Sequence, residues 1–518
     1  MDLEFFGRSA GQLRERAARG WKTRAVMSAL FVLVLFLGAG CTRRSLETEL
    51  SVAAFSEHLD EQIPRLLDRF GVPGVSMALV LDGELAWSGA YGYADLEQGR
   101  KMTVDAICRA ESITKSVTAW GVMRLVERGL IDLDVPVQEY LGGWQLPETE
   151  FDEREVTARR LLSASAGMPL GTIGESAEYA PQSDMPSLRD YLTEEARLIR
   201  EPGSGFLYSN PGFNLLELLI EEVTGRDFSE YMAEEVLIPL GMANASFAWE
   251  ERFRSAVPTG YELDGTPVPP YVYPVKASGG LLADAEGIAR FVVAGMTGPY
   301  FSDHSVLEQE SIRGIHTPQV DIFGMFGVVA DSYGFGHFIE TLPGGSQAVW
   351  HGGQGHGWMT HFHSVPESGD GIVILTNSGR SWPFIAEVLT GWSRWRGFGS
   401  VGFGRITSAT IALRVFTGIV LLASLWLVYR LARGLASGNR RWAPLSRRAR
   451  AARVLQAAAG IGGSAVLAWS TAQPYLFVTS IFPADAGRGG LSLLVLAVLL
   501  ILSALFPRVE DRERVVST

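Results

Sequence analysis

Ser112 and Lys115 stand three residues apart at the start of an apolar-periodic stretch, a spacing that puts a hydroxyl and an amine on one face of a helix. A serine hydroxyl is a poor nucleophile until a neighbour takes its proton, and a lysine made partly neutral by burial can take it at ordinary pH. The chemistry this pair predicts is acyl transfer through a covalent serine intermediate. Apolar residues at Ile113, Val117, Trp120, Val122, Leu125 and Val126 predict the helix, and Gly129 is suited to its C-terminus. Ser112 would then occupy the first turn, where free backbone N–H groups favour developing negative charge. Taken alone, the pair reads equally well as a capping serine and a solvated lysine.

Two further clusters decide between those readings. Tyr208-Ser209-Asn210 follows the turn Pro202-Gly203-Ser204-Gly205 and precedes a helical run from Asn214 to Arg226, so its tyrosine is expected on a loop that can face a cleft. His351-Gly352-Gly353 opens a strand-like segment after Ala348-Val349-Trp350, and its glycines would let a substrate backbone approach closely. Without companions, Tyr208 would be a packing residue and Asn210 a turn residue. The three clusters in this chain order favour catalysis.

With these residues in hand, the chain resembles the class C beta-lactamase-related serine hydrolases, which include penicillin-recognising enzymes, D-amino-acid peptidases and esterases. The resemblance runs from Phe55 to Trp395 and includes Val72-Pro73-Gly74, Leu161-Leu162-Ser163, Ser165-Ala166-Gly167-Met168, Pro239-Leu240-Gly241-Met242, Ser278-Gly279-Gly280-Leu281 and Thr376-Asn377-Ser378. It implies that Ser112 forms the acyl-enzyme, that Lys115 and Tyr208 share the proton transfers, and that Asn210 binds the substrate amide or ester. The oxyanion hole would be the backbone N–H groups of Ser112 and Gln354, beside Gly353. Which of Lys115 and Tyr208 is the base stays open, and no cofactor is implied.

Penicillin-hydrolysing relatives typically carry a lysine where this chain has His351. A lysine is cationic throughout the useful pH range and can grip a substrate carboxylate; a histidine with a reference pKa of about 6.5 is charged only in part. The expectation is therefore ester or amide hydrolysis, including peptide-like substrates, ahead of beta-lactam hydrolysis, with His351 orienting or polarising substrate. His361 and His363 would share one face of a strand near His351 and His356, but no cysteine or spaced carboxylate completes a metal set, so no metal is predicted. Cys108, four residues before the serine, reads as a small buried hydrophobe rather than a redox switch.

The ends of the chain differ from its middle. With 518 residues, a net charge of −12 and a mean hydropathy of +0.13, the protein is larger than one domain, and its acidic middle excludes nucleic-acid binding. Residues 1–41 carry a basic stretch, an apolar run from Ala25 to Gly40 and then Cys41, which reads as a signal peptide, with or without lipid at Cys41, or as an uncleaved anchor. Residues 50–398 form the hydrolase-like domain. Residues 405–508 form a membrane domain of about three helices: Ile406 to Tyr429, Val454 to Phe482 and a shorter Leu491 to Phe506. Arg414 is expected to snorkel and Pro474 to kink or end the second span. The loop between the first two spans holds Arg430, Arg433, Arg440, Arg441, Arg447, Arg448, Arg450 and Arg453 without an acid, so it should be cytoplasmic; the basic N-terminus gives the same orientation, and the domain before the spans should lie outside.

The expected fold of that domain is α/β of the α+β kind, an antiparallel sheet flanked by helices with a mainly helical subdomain. Val75 to Glu84 and Leu85 to Asp95 predict a hairpin around Asp82-Gly83, and Trp358 to Pro366 and Gly371 to Gly379 a second one around Gly369-Asp370. Pro383 to Arg396 closes the domain as a helix, and helical patterns dominate from Ser187 to Met242. Two other classes of function fit less well. A silent binding ectodomain would not need Ser112, Lys115, Tyr208 and Asn210 together, and a transporter would need intramembrane polarity that these spans lack. The expected partners are a small-molecule or peptide-like substrate and the membrane.

Overall fold

The computed structural model describes residues 51–301, 306–445, 451–471 and 477–508. The chain divides at Ser408 into two compact units. In the first, nine strands, counted among the described residues, make one antiparallel sheet. They are β1 (Gly74–Leu81), β2 (Glu84–Asp95), β3 (Arg100–Lys101), β4 (Val320–Asp321), β5 (Ser332–Tyr333), β6 (Phe338–Thr341), β7 (Gln347–Gly355), β8 (Trp358–Val365) and β9 (Asp370–Thr376), in the order β3-β2-β1-β9-β8-β7-β6-β5-β4. The first and last thirds of the domain thus meet at β1 and β9, where Val75 faces Thr376 and Val80 faces Gly371.

Local chemistry accounts for the elements. Asp82 and Gly83 both take positive φ, 51° and 76°, the conformation a tight hairpin between right-twisted strands requires. Every residue of β1, β8 and β9 is buried; β1 and β9 read as nearly continuous apolar runs, whereas β8 buries Thr360, His361, His363 and Ser364 among its apolar residues. Helix α1 (Val52–Phe70) is capped by Ser51, whose Oγ accepts from the Ala54 N–H, and ends at Gly71 with φ 65°. Its stripe Phe55, Leu59, Ile63 and Leu67 is buried, and Phe55 stacks on Trp395 of helix α5 (Trp382–Trp395) with ring centroids 4.0 Å apart.

Helix α2 (Ile113–Glu127) packs on β7 and β8 and on helix α3 (Asn210–Thr224) of the helical subdomain, so the nucleophile's helix runs between sheet and subdomain. Helix α4 (Ala285–Ala294) covers β1, β2, β8 and β9. The periodicity of α2 suggests one apolar face, yet the helix is buried nearly all round. Its polar positions are satisfied inside the protein: Thr114 Oγ1 accepts from the Leu281 N–H, Ser116 donates to Gly336 O and Thr118 donates to Ala277 O. Hydroxyls that mark a solvent face in a sequence here fasten the helix to distant loops.

In the second unit, helices α6 (Gly404–Ala436), α7 (Ala451–Thr471) and α8 (Pro483–Leu505) are long and apolar enough to cross a membrane. A β-carbon at Gly460 would lie 2.6 Å from Ala497 O, so glycine sets how closely α7 approaches α8. Two expectations change. The third helix begins at Pro483, ahead of the expected Leu491, and includes Asp485, whose carboxylate meets Arg414 of α6 at 2.9 Å. Arg414 is therefore paired rather than snorkelling. The second helix is described as far as Thr471, and Pro474, like residues 1–41 and Arg447, Arg448 and Arg450 of the basic loop, lies outside the described residues.

Candidate active site

The amine of Lys115 is fully buried and touches three oxygens: Ser112 Oγ at 3.1 Å, Asn210 Oδ1 at 2.8 Å and Ser278 O at 2.7 Å. Burial pulls its pKa from the ordinary lysine value down to about 7, against the opposing pull of the Glu111 charge. A neutral amine has two hydrogens and one lone pair. If Asn210 Oδ1 and Ser278 O take the hydrogens, the lone pair is left for the Ser112 hydroxyl, which donates to it. The arrangement selects the protonation state a general base needs.

Ser112 opens α2 at φ −68° and ψ −5°, and its side chain makes no capping hydrogen bond. The alternative of a capping serine with a solvated lysine is thereby excluded: Oγ is bonded to Lys115, which has no exposure. Glu111, the residue before it, has φ 50°, a left-handed conformation that a side chain adopts at a cost of roughly 1 kcal/mol or more. Its carboxylate is buried and held by Arg109 Nε at 2.8 Å and by the hydroxyls of Tyr271 and Tyr273 at 3.0 and 2.9 Å. Those three donors fix the turn that presents Ser112.

At Gly353 and Gly355 the space a side chain would need is taken by the protein itself. A β-carbon at Gly353 would lie 2.2 Å from Thr360 Oγ1 and 2.4 Å from Ala110 O, and one at Gly355 would lie 2.3 Å from the Glu111 carboxyl carbon. Strand β7 therefore presses against the turn before Ser112. Its pairing with β6 ends at Trp350, which leaves His351 to Gly355 paired on the β8 side. Gln354 lies on this stretch, and its Oε1 accepts from Trp382 Nε1 at 2.9 Å.

Tyr208 precedes Ser209, whose Oγ caps α3 by accepting from the Gly212 N–H at 3.0 Å. This places Asn210 in the first turn of α3 and Tyr208 just outside it, its ring centroid 4.9 Å from Lys115 Nζ. Aromatic rings pack around the tyrosine: Phe326 at 5.7 Å, Phe338 at 6.2 Å and His351 at 6.1 Å between centroids. His351 sits within β7 and does not open it, and the imidazole is fully buried. Its Nε2 is 3.1 Å from the Tyr333 hydroxyl and its Nδ1 2.8 Å from Gly352 O. Since a carbonyl can only accept, Nδ1 carries the hydrogen and Nε2 accepts from Tyr333. Burial and the nearby Lys115 hold its pKa well below the usual histidine value, so the ring is neutral.

Two acidic residues matter here that the motifs do not single out. Glu217, on α3, is buried and accepts from the N–H groups of Lys276 and Ala277 at 2.6 and 2.8 Å, fixing the loop whose next carbonyl, Ser278 O, binds Lys115. Burial raises its pKa to about 7. Glu111 is the other. A charged residue inside the apolar run Leu215 to Ile220 was the available signal for Glu217, and nothing local revealed its partners. Cys108 is fully buried, and that burial pushes its thiol pKa up.

The beta-lactamase family model matches residues 59–387. The chain belongs to the beta-lactamase family. Among relatives of this family member, Protein flp of Staphylococcus aureus strain N315 is 24% identical over 384 residues, 72% of this chain and 74% of the relative. Esterase EstB of Burkholderia gladioli is 33% identical over 230 residues, 42% of this chain and 58% of the relative. A solved structure of an octameric penicillin-binding protein homologue from Pyrococcus abyssi superposes with a TM-score of 0.53 at 27% identity, covering 64% of this chain and 77% of that one. SurE superposes with a TM-score of 0.55 at 24% identity over 68% of this chain and 78% of its own, which shows the shared fold.

Proposed function

We propose that this beta-lactamase family member is a membrane-anchored serine hydrolase that cleaves an ester or amide bond through an acyl-enzyme on Ser112. The observation that carries the reading is the contact between Ser112 Oγ and a buried Lys115 whose hydrogens are claimed by Asn210 and Ser278. Lys115 takes the Ser112 proton as Oγ attacks the carbonyl carbon, and the resulting ammonium returns it to the leaving oxygen or nitrogen. Water then releases the acid by the reverse sequence. Tyr208, beside Lys115, takes part in the same proton transfers, and Asn210, its Oδ1 turned to Lys115, offers Nδ2 to the substrate carbonyl. The N–H groups of Ser112 and Gln354 supply the oxyanion hole.

A neutral, fully bonded His351 has no charge with which to grip a carboxylate, which favours esters and amides over penicillins. In this reading it acts from behind, holding Tyr333 and the wall around Tyr208. The 33% identity to an esterase over part of the chain points the same way. The three apolar helices serve as the anchor in a bacterial cytoplasmic membrane, and the arginine-rich loop after α6 argues that the catalytic unit faces the periplasmic or extracellular side.

The test is labelling of the full chain by a serine-reactive fluorophosphonate. Label is expected on the wild type and not on Ser112→Ala; label that persists on the alanine variant, or never forms, would favour a silent binding ectodomain. Chromogenic short-chain esters, D-amino-acid amides and a penicillin then fix the branch, esters and amides being expected to turn over. Protease added to spheroplasts is expected to digest the catalytic unit, and protection there with digestion in inside-out vesicles would reverse the topology.

A further inference from the structure

The loop at residues 322–329 is apolar where solvent should favour polar groups. Phe323 is 83% exposed, and Met325 and Val328 are about half exposed. The same loop supplies Phe326, which stacks on Tyr208 and packs edge-on against Phe206 at 5.9 Å. An unbroken apolar path thus leads from the site tyrosine to the surface. Leu170 is also exposed, and its carbonyl accepts from the Asn210 N–H at 3.2 Å. Exposed apolar patches of this kind mark contact with a partner or a membrane.

The chain's own path identifies the occupant. Residues 401–405 run from the catalytic unit into the first apolar helix, and they are fastened beside this loop. Arg405 donates to Val328 O at 2.6 Å, a β-carbon at Gly402 would lie 2.3 Å from Val329 O, and the Gly402 N–H donates to Glu340 at 2.6 Å. Phe403 packs on Trp350 and His361 with centroids 5.0 and 4.6 Å away. Arg405 is exposed and directly precedes the apolar stretch that starts at Ile406, which is headgroup depth for a spanning helix. Val328, bonded to Arg405, lies beside the start of that stretch.

We propose that loop 322–329 dips into the bilayer surface and that Ser112 hydrolyses acyl esters or amides of membrane-borne amphiphiles, their apolar chain lying along Phe326. This rests on the hydrolase and anchoring readings above. Ser112 Oγ bonds to the acyl carbon, the bond to the headgroup oxygen or nitrogen breaks, the proton passes through Lys115 to that leaving atom, and water frees the fatty acid.

The experiment uses the full chain in phosphatidylcholine vesicles, with Phe323→Cys and Cys41→Ser labelled by an environment-sensitive maleimide dye and bromine-carrying lipids as quenchers. At least twofold quenching is expected, together with a kcat/KM that rises tenfold or more from acetyl to decanoyl p-nitrophenyl esters and a ratio that falls at least fivefold in Phe323→Ser/Met325→Ser. Unquenched dye on protein that co-floats with vesicles and takes the phosphonate would overturn the proposal while leaving anchoring and catalysis intact. A dye shift that scales with the protein-to-lipid ratio would mark a second copy of the chain and also overturn it. Protein that does not float, or does not label, fails the underlying reading instead, and the proposal with it.

Discussion

The carboxylate of Glu111 fills the space that any side chain at position 355 would need: a β-carbon on Gly355 would fall 2.4 and 2.6 Å from its two oxygens. Glu111 cannot retreat easily, because Arg109, Tyr271 and Tyr273 hold it and its φ of 50° fixes the chain on either side. Gly355→Ala should therefore shift the turn that carries Ser112. The expected loss is about 1–3 kcal/mol of stability, typical of overpacking, and tenfold or more in kcat. Thermal unfolding and ester hydrolysis measure the two, and unchanged values for both would show that strand and turn are not in register through this contact.

With Lys115 as the proposed base, its amine would set the acid limb of the reaction. Its pKa of about 7 means that the amine is the neutral base above that pH and a cation below it. For the free enzyme, kcat/KM should fall tenfold per pH unit below pH 7, and Lys115→Met should cost about 10³-fold or more at pH 8. A limb that keeps the same midpoint in a weakly active Lys115→Met variant would shift the proton transfer to another group, Tyr208 being the nearest.

Glu217 tests whether the loop behind the site matters. In Glu217→Gln the amide oxygen can take the place of the one carboxylate oxygen that accepts both backbone N–H groups, so the change is the lost negative charge on that acceptor and an NH2 group buried where the other oxygen stood. A cost of about 1–3 kcal/mol is expected. If Ser278 O moves with the loop, the acid-limb midpoint should shift as well, which a purely structural role for Glu217 would not produce. The pH profile of kcat/KM decides.

Acid should weaken the fold before it protonates most carboxylates. His316, His337, His351, His361 and His363 are buried with pKa values depressed by desolvation, to about 4 for His337 and about 3 for His363. Unfolded, each takes up a proton near 6.5, so the stability they contribute is present above that pH and is lost as pH falls toward the folded values, by about 2 kcal/mol each at pH 5 for His337 and His363. Glu217 and Glu340, raised to about 7, act in the opposite sense and gain stability over the same descent. Glu178, Glu221 and Asp370, also raised by burial, oppose the histidines in the same way; the five imidazoles are expected to prevail, so Tm should fall from pH 7 to pH 5, and fall more steeply in Glu340→Gln, which removes one opposing acid. A Tm flat across that range would mean that the imidazoles take up protons in place.

Arg414 and Asp485 pair inside the membrane unit at 2.9 Å. Removing one partner leaves an uncompensated charge among apolar helices, whereas removing both leaves none. Asp485→Leu should lower the heat resistance of the detergent-solubilised chain by several degrees, and Arg414→Leu/Asp485→Leu should restore most of it. Equal loss in the single and double variants would deny the coupling.

Much of this was legible in the residues. The hairpin at Asp82-Gly83 follows from two residues that tolerate positive φ, the start of α2 at Ser112 and its end near Gly129 from spacing and glycine, and the three apolar helices from length and composition. Chain order and the family resemblance together grouped Ser112, Lys115, Tyr208 and Asn210. What stayed hidden were contacts between residues far apart in sequence: Lys115 meets Asn210 95 positions away and Ser278 163 positions away, and those two acceptors decide where its lone pair points. A string of residues fixes which groups can accept or donate and how neighbours are spaced along a helix or strand. Burial is a property of the assembled core, so only the tertiary structure could pull the Lys115 pKa down to about 7, press β7 against Glu111, and set the apolar loop 322–329 beside the start of the first apolar helix.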